Sequence, residues 1–258
     1  MTAILSVRDL EKTFGSIVAA RDITLDVPAE QTVGIIGANG AGKTTFINMI
    51  TGHLRPSKGT IRFGEHDITG RPSREITRLG VSRSFQVAQI FPSLTVFDNM
   101  CAAAAVSGGR GGTLGHALAP LRSPALIAQA EAALDLFRIA AYRDVRAATL
   151  PQGVRKLLDI AMAVVGSPRV VLLDEPTSGI SIADKFGIME VVMSALRSRR
   201  LTVLFVEHDM EIVARYADRV LAFYDGTVIA DGSPAAALAD PRVQTLISGT
   251  RVRGGAGA

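Results

Sequence analysis

One short stretch constrains this chain more than any other. Gly37-Ala38-Asn39-Gly40-Ala41-Gly42-Lys43-Thr44-Thr45 matches G-x-x-x-x-G-K-[ST]. A continuous apolar run, Thr32-Val33-Gly34-Ile35-Ile36, leads into it, and Phe46-Ile47-Asn48-Met49-Ile50 can leave it as a helix. Each part has a physical use. Glycines let the backbone curl so that several N–H groups point inward at a β-phosphate. The helix start adds a partial positive charge. Lys43 supplies a mobile full charge for the β- and γ-phosphates. Thr44 offers a hydroxyl to Mg²⁺, an ion that keeps most of its other ligands as water and phosphate oxygen.

Two further apolar runs, Val170-Val171-Leu172-Leu173 and Thr202-Val203-Leu204-Phe205-Val206, also lack polar alternation. Such runs suit strands buried on both faces, as in a parallel sheet. Helical spacing lies around them. Ser123-Pro124 reads as an N-cap and first-turn proline, followed by Leu126, Ile127, Ala130, Ala133, Leu134 and Phe137. Leu157, Leu158, Ala161, Val164 and Val165 repeat the pattern, as do Phe186, Met189, Val192, Met193 and Leu196. Strands alternating with helices predict an α/β fold with a mainly parallel sheet. No clear strand lies between residues 95 and 165, which read as mostly helical. The expected organisation is one domain over residues 1–249, with a core at 1–87 and 166–232, an inserted helical subdomain at 88–165 and a C-terminal helical segment at 233–249. Residues 107–115 read as an exposed glycine-rich loop, and 250–258 as a flexible tail.

Acids close the second run. Val170-Val171-Leu172-Leu173-Asp174-Glu175 ends an apolar strand in two carboxylates, costly there unless a cation or donor meets them. Asp174 can hold Mg²⁺ through its water shell, and Glu175 is then placed to orient or deprotonate an attacking water. Alone, either acid could be a helix cap or turn residue; both, after such a strand and beside a phosphate loop, favour chemistry. His208 follows the third run, on the ligand edge of an α/β sheet, where it can contact a γ-phosphate.

Composition excludes several classes. The net charge is +4, but the basic residues are spread out; the densest run, Arg197, Arg199 and Arg200, reads as a solvated helix face, and no nucleic-acid partner is expected. The single cysteine, Cys101, cannot form an intrachain disulfide and sits beside Ala102, Ala103, Ala104 and Ala105 as a small buried residue would. No signal-peptide pattern opens the chain, and no stretch approaches the ~20 apolar residues that span a bilayer. Action at a membrane would require docking onto something that crosses it.

Together these residues resemble the nucleotide-binding subunit of an ATP-binding cassette (ABC) transporter, from about Leu5 to Gly249. The resemblance implies a cassette fold with an antiparallel β region near the N-terminus. It implies nucleotide contacts from Gly37, Asn39, Gly40, Ala41, Gly42, Lys43, Thr44 and Thr45, with Lys43, Glu175 and His208 serving hydrolysis. Phe14, in Lys12-Thr13-Phe14-Gly15, resembles the aromatic that stacks on adenine, although a core phenylalanine near a turn would look alike. Gln86, in Arg83-Ser84-Phe85-Gln86, resembles the glutamine that touches Mg²⁺ beside Thr44 and Asp174 and links the core to the helical subdomain. Phe91-Pro92-Ser93-Leu94-Thr95-Val96-Phe97-Asp98-Asn99, the glycine-rich insertion and the ending around Asp218-Arg219-Val220 and Asp240-Pro241-Arg242-Val243 resemble importer subunits for branched-chain amino acids, amides and urea.

The family signature, L-S-G-G-Q or close to it, is altered: the matching stretch is Leu150-Pro151-Gln152-Gly153-Val154. Pro151 lacks the hydroxyl and N–H that serine offers to a partner's γ-phosphate. It remains acceptable at a helix start. Ser178-Gly179-Ile180-Ser181 ends in serine where aspartate is common, and Ser181 with Asp184 fits a local N-cap. The resemblance implies ATP and Mg²⁺ as cofactors, a second ATPase subunit in a homo- or heterodimer, integral-membrane permease subunits and, indirectly, a periplasmic solute-binding protein. It implies a peripheral location on the cytoplasmic face of the inner membrane. The rival readings are a soluble ABC ATPase without a transporter and a regulatory nucleotide-binding partner; a P-loop kinase would leave Gln86 and His208 unexplained.

Overall fold

A computed structural model of the chain describes residues 3–84, 88–108 and 123–247. Two units make it up, Met1–Ser73 with Leu204–Ala258, and Arg74–Val203.

The first unit holds an antiparallel sheet in the order β2 (Ile17–Pro28), β1 (Ala3–Phe14), β4 (Lys58–Phe63), β5 (His66–Asp67). Leu5, Val7 and Leu10 of β1 are fully buried, while Arg8 and Asp9 are exposed, as a sheet covered on one face requires. The antiparallel N-terminal region is therefore present as expected. A second sheet centres on β3 (Thr32–Gly37), buried at every position. It runs parallel to β9 (Arg219–Tyr224), pairing Ile35 with Leu221, and β10 (Thr227–Gly232) returns antiparallel to β9. The last residues of β8 (Thr202–Val206) belong to this unit and lie beside β3. Among the described residues these strands are accompanied by α1 (Lys43–Ile50), α7 (Met210–Tyr216), α8 (Pro234–Ala239) and α9 (Pro241–Leu246). Phe46 of α1 packs against Phe223 of β9, with ring centroids 5.3 Å apart, which fixes the helix over the sheet.

The second unit pairs β6 (Val81–Ser84) parallel to β7 (Val170–Asp174), with Arg83 opposite Leu172 and Ser84 opposite Leu173. The α-helices among its described residues are α2 (Ser73–Leu79), beginning at the unit boundary, then α3 (Val96–Gly108), α4 (Pro124–Leu136), α5 (Gln152–Val164) and α6 (Ile182–Ser198). Ser123 caps α4 by accepting from the Leu126 N–H, with Pro124 in the first turn, as the sequence indicates. Leu157, Leu158, Ala161 and Val164 form the buried face of α5, and Met189, Val192, Met193 and Leu196 that of α6. Cys101 is buried in α3.

One boundary differs from the sequence reading. Ser107 and Gly108 belong to the last turn of α3 and not to a loop, and the Ser107 hydroxyl donates to the Ala103 carbonyl one turn back. The remainder of the expected loop, and the tail at 250–258, lie outside the described residues. Beyond the three apolar runs, β6, β9 and β10 went unread. Val220-Leu221-Ala222-Phe223 carried the same buried-strand signal.

Candidate nucleotide site

Each unit carries one part of the predicted machinery. In the first, β3 ends at Gly37 and the chain turns through exposed Ala38, Asn39 and Gly40 into α1. Gly40 and Gly42 have φ of 80° and 99°, left-handed backbone that a side chain disfavours. Their surroundings differ. A Cβ on Gly40 would meet nothing within 4 Å, whereas one on Gly42 would lie 2.7 Å from the Ala19 carbonyl oxygen. The Ala41 carbonyl accepts from the Gly226 N–H at 3.1 Å, and the Gly226 carbonyl accepts from the Arg21 N–H at 2.9 Å. The β9–β10 turn and β2 thus brace the loop from outside.

Lys43 is 6% exposed, and its Nζ folds back over the loop, donating to the carbonyls of Gly37 at 2.6 Å and Ala38 at 3.0 Å. Thr44 is exposed and Thr45 half-buried. Helix α1 has neither a side-chain cap nor an acid in its first turn. Its first N–H groups and their partial positive charge are thereby left for an anion. A concave backbone, a tethered ammonium and a free helix start can together bind a chain of phosphates.

Phe14 closes β1 and is 50% exposed, with Lys12 Nζ 4.9 Å from its ring centroid. It is not the core phenylalanine that its turn-side position also allowed. Ile17 and Val18 nearby in the chain are exposed as well, so a flat apolar ligand would find a face here. His208 lies two residues past the end of β8, after buried Glu207, and is exposed; Asp209 then caps α7 by accepting from the Glu211 and Ile212 N–H groups.

In the second unit, Asp174 ends β7 and is 8% exposed. Arg83 Nη2 donates to its Oδ2 at 2.7 Å. Glu175 follows, half-buried, with φ of 48°. A glutamate in left-handed backbone stores about 1–3 kcal/mol of strain, a cost that clusters where geometry serves function. Among the described residues no group of three or more His, Cys, Asp or Glu is placed to hold a metal. A cation beside Asp174 would complete its shell from water and bound ligand, which suits the oxygen-donor, heavily hydrated habit of Mg²⁺.

Gln86 lies outside the described residues. Residues 89–99 are held by side-chain hydrogen bonds. The Gln89 N–H donates to buried Asp159 at 2.8 Å; Asn99 accepts from the Phe91 N–H at 2.7 Å and donates to the Phe91 and Thr95 carbonyls. Phe91 and Leu94 project outward, 53% and 37% exposed.

Leu150 is buried, and Pro151 is the N-cap of α5, extended at φ −54° and ψ 149°, with no side-chain cap hydrogen bond. The helix is intact, so the proline does not disturb the fold. Gln152 and Gly153 form its first turn; a Cβ on Gly153 would lie 3.0 Å from Ile188, and one on Gly179 would lie 2.9 Å from Gln152 Nε2. The altered signature and the 178–181 turn therefore pack on each other. Ser181 caps α6, accepting from the Asp184 N–H and donating to its carboxylate at 2.6 Å, as its spacing suggested.

Two polar contributors escaped the sequence reading. Arg83 gave no signal, because a charge in so short a run argues against a buried strand; Asp159, on the apolar face of α5, looked like an interruption of helical spacing.

The profile of the ABC transporter family matches residues 20–178. The chain is 32% identical over 238 residues to the high-affinity branched-chain amino acid transport ATP-binding protein LivG of Salmonella typhimurium, covering 90% of this chain and 92% of that protein. It is 32% identical over 251 residues to the lipopolysaccharide export system ATP-binding protein LptB of Acidithiobacillus ferridurans, covering 96% and 98%. Its fold matches the ADP conformation of MJ1267, an ATP-binding cassette of an ABC transporter, with a TM-score of 0.84 at 28% identity over 95% of this chain and 98% of that one. Among the described residues no helix is long and apolar enough to cross a membrane.

Proposed function

The chain belongs to the ABC transporter family, and on that premise we propose that it is the ATP-hydrolysing subunit of a membrane importer for branched-chain amino acids or related small polar or carboxylate solutes. The observation that carries the ATPase reading is the loop before α1: Lys43 tethered over left-handed Gly40 and Gly42 at an uncapped helix start. The importer reading rests on likeness to LivG over most of both chains.

Residue roles follow from chemistry. Gly37, Asn39, Gly40, Ala41, Gly42 and Thr45 shape the backbone cradle for the phosphates. Lys43 exchanges its two carbonyl acceptors for phosphate oxygens when nucleotide arrives, trading neutral hydrogen bonds for charge-assisted ones. Thr44, Asp174 and Gln86 would hold Mg²⁺, whose bound charge screens the phosphates. Glu175 orients or deprotonates the attacking water, and His208 contacts the γ-phosphate. Phe14 stacks on adenine.

Partners follow the same logic. A second ATPase subunit contributes a signature to this chain's ATP, while Leu150, Pro151, Gln152, Gly153 and Val154 serve the partner's. With no N–H at Pro151, that service falls to the N–H groups opening α5. A heterodimer would then have its stronger site on this chain's phosphate loop. Exposed Phe91 and Leu94, on a turn clamped by Asn99, suit contact with a permease. The chain would sit on the cytoplasmic face of the membrane, and a periplasmic solute-binding protein would deliver the solute to the permease.

The test is Glu175→Gln in the assembled transporter. Hydrolysis should fall by about 10²–10⁴-fold, the usual contribution of a positioned base, while ATP binding persists. Unimpaired hydrolysis would sink the catalytic assignment. Uptake of labelled leucine, against an unrelated sugar, tests the solute class.

A further inference from the structure

Arg83 is a full charge in a strand whose ends, Val81 and Ser84, are each 1% exposed. Burying a guanidinium there is costly unless a counter-charge meets it. The meeting group is Asp174. Arg83 pairs in register with Leu172 on the parallel neighbour strand, and residues two apart share a strand face. Arg83 and Asp174 therefore lie on one side of the sheet, offset by about 6.6 Å along the strand direction. A long side chain covers that offset, and Nη2 reaches Oδ2 at 2.7 Å with the two side chains only 8% and 12% exposed. One carboxylate oxygen is thereby engaged by a planar, directional donor, which orients the whole group; an ammonium would supply charge without that direction.

We propose that Arg83 is a positioning residue for Asp174, holding its carboxylate in the orientation in which it meets the hydrated Mg²⁺ of the nucleotide. The inference rests on the reading of Asp174 given above. Groups that hydrogen-bond a metal-serving carboxylate commonly control metal affinity by about 10–100-fold. Arg83 does so from β6, on the strand paired in parallel with the one that Asp174 ends.

The experiment uses the full-length chain. Mg²⁺ is titrated at saturating ATP, and the thermal midpoint and the fluorescence of a bound ATP analogue are followed. Arg83→Lys should raise the half-saturating Mg²⁺ about tenfold, while analogue binding in EDTA, carried by the phosphate loop, stays as in the parent. Asp174→Asn should raise it at least as much, and Arg83→Lys should add little in that background. If Arg83→Lys leaves or lowers the Mg²⁺ requirement while Asp174→Asn raises it, the inference is overturned and the reading of Asp174 stands. If Asp174→Asn itself has no effect, the reading of Asp174 fails first. Arg83→Met leaves a buried carboxylate uncompensated and can unfold the chain. Arg83→Met combined with Asp174→Asn, neutral on both sides, should then be more stable to denaturant than Arg83→Met alone. A double variant no more stable than the single one would show that the pair does not form in solution, and would also overturn the inference.

Discussion

Among the described α-helices with a defined N-cap, two begin without a side-chain cap hydrogen bond, α1 in the first unit and α5 in the second. By contrast, Ser123, Ser181, Asp209, Ser233 and Asp240 cap α4, α6, α7, α8 and α9. Capping satisfies one of the orphan N–H groups of a helix start and is worth about 1 kcal/mol. Helices that forgo it keep those donors for something else. The two exceptions are the phosphate loop and the altered signature, and they are built differently. Before α1 the chain supplies left-handed glycines and a tethered ammonium. Before α5 it supplies a proline in extended backbone, and Arg155 at the fourth helical position turns back to donate to the Ala148 carbonyl at 2.9 Å. On the proposed reading the first start binds an anion by itself, and the second completes a site that already holds one.

The sharpest break of this contrast is Lys43→Ala. It should weaken ATP binding to the isolated chain by about a hundredfold, the worth of a strong charge-assisted contact, measured by equilibrium binding. Pro151→Ala should leave that binding unchanged, and a loss there would erase the distinction between the two helix starts.

Gly42→Ala comes next. Left-handed backbone alone costs a non-glycine residue about 1–3 kcal/mol, and the added methyl would press on the Ala19 carbonyl oxygen from 2.7 Å. Gly40→Ala shares the backbone cost but enters open space. Denaturant midpoints should therefore fall further for Gly42→Ala, and equal losses would argue against the bracing of the loop by β2.

A smaller effect is expected from Pro151→Ser. It restores a hydroxyl and an N–H at the start of α5, each worth about 0.5–1.5 kcal/mol as a net hydrogen bond. Turnover of the assembled transporter should rise by a few-fold. No change would mean that Gln152 and its neighbours already suffice.

The smallest effect lies away from both helices. The Thr69 hydroxyl and N–H hold the Asp67 carboxyl below its ordinary value of 3.8. A lowered acid contributes stability that is present above that ordinary value and lost as pH falls through the lower folded one. Asp67→Asn should flatten a slight loss of stability below about pH 4, read from thermal midpoints across an acid series.

Much of the molecule was legible in its residues. The runs at 32–36, 170–173 and 202–206 became strands because nothing polar interrupts them. Ser123 and Ser181 became caps because such signals act within one helical turn. β9 was missed although its apolar run resembled those three. β6 was missed because Arg83 sits in its middle, where an unpaired charge argues against burial.

Sequence alone determined the phosphate loop, the acids ending β7 and the helix starts, since each depends on neighbours a few residues away in the chain. Only tertiary structure decided that Gly42 has no room for a methyl, that Lys43 rests on the loop carbonyls, that Phe14 stands in solvent and that Arg83 meets Asp174. These depend on strands brought together from distant parts of the chain, and a linear spacing carries no record of which buried charge will find which partner.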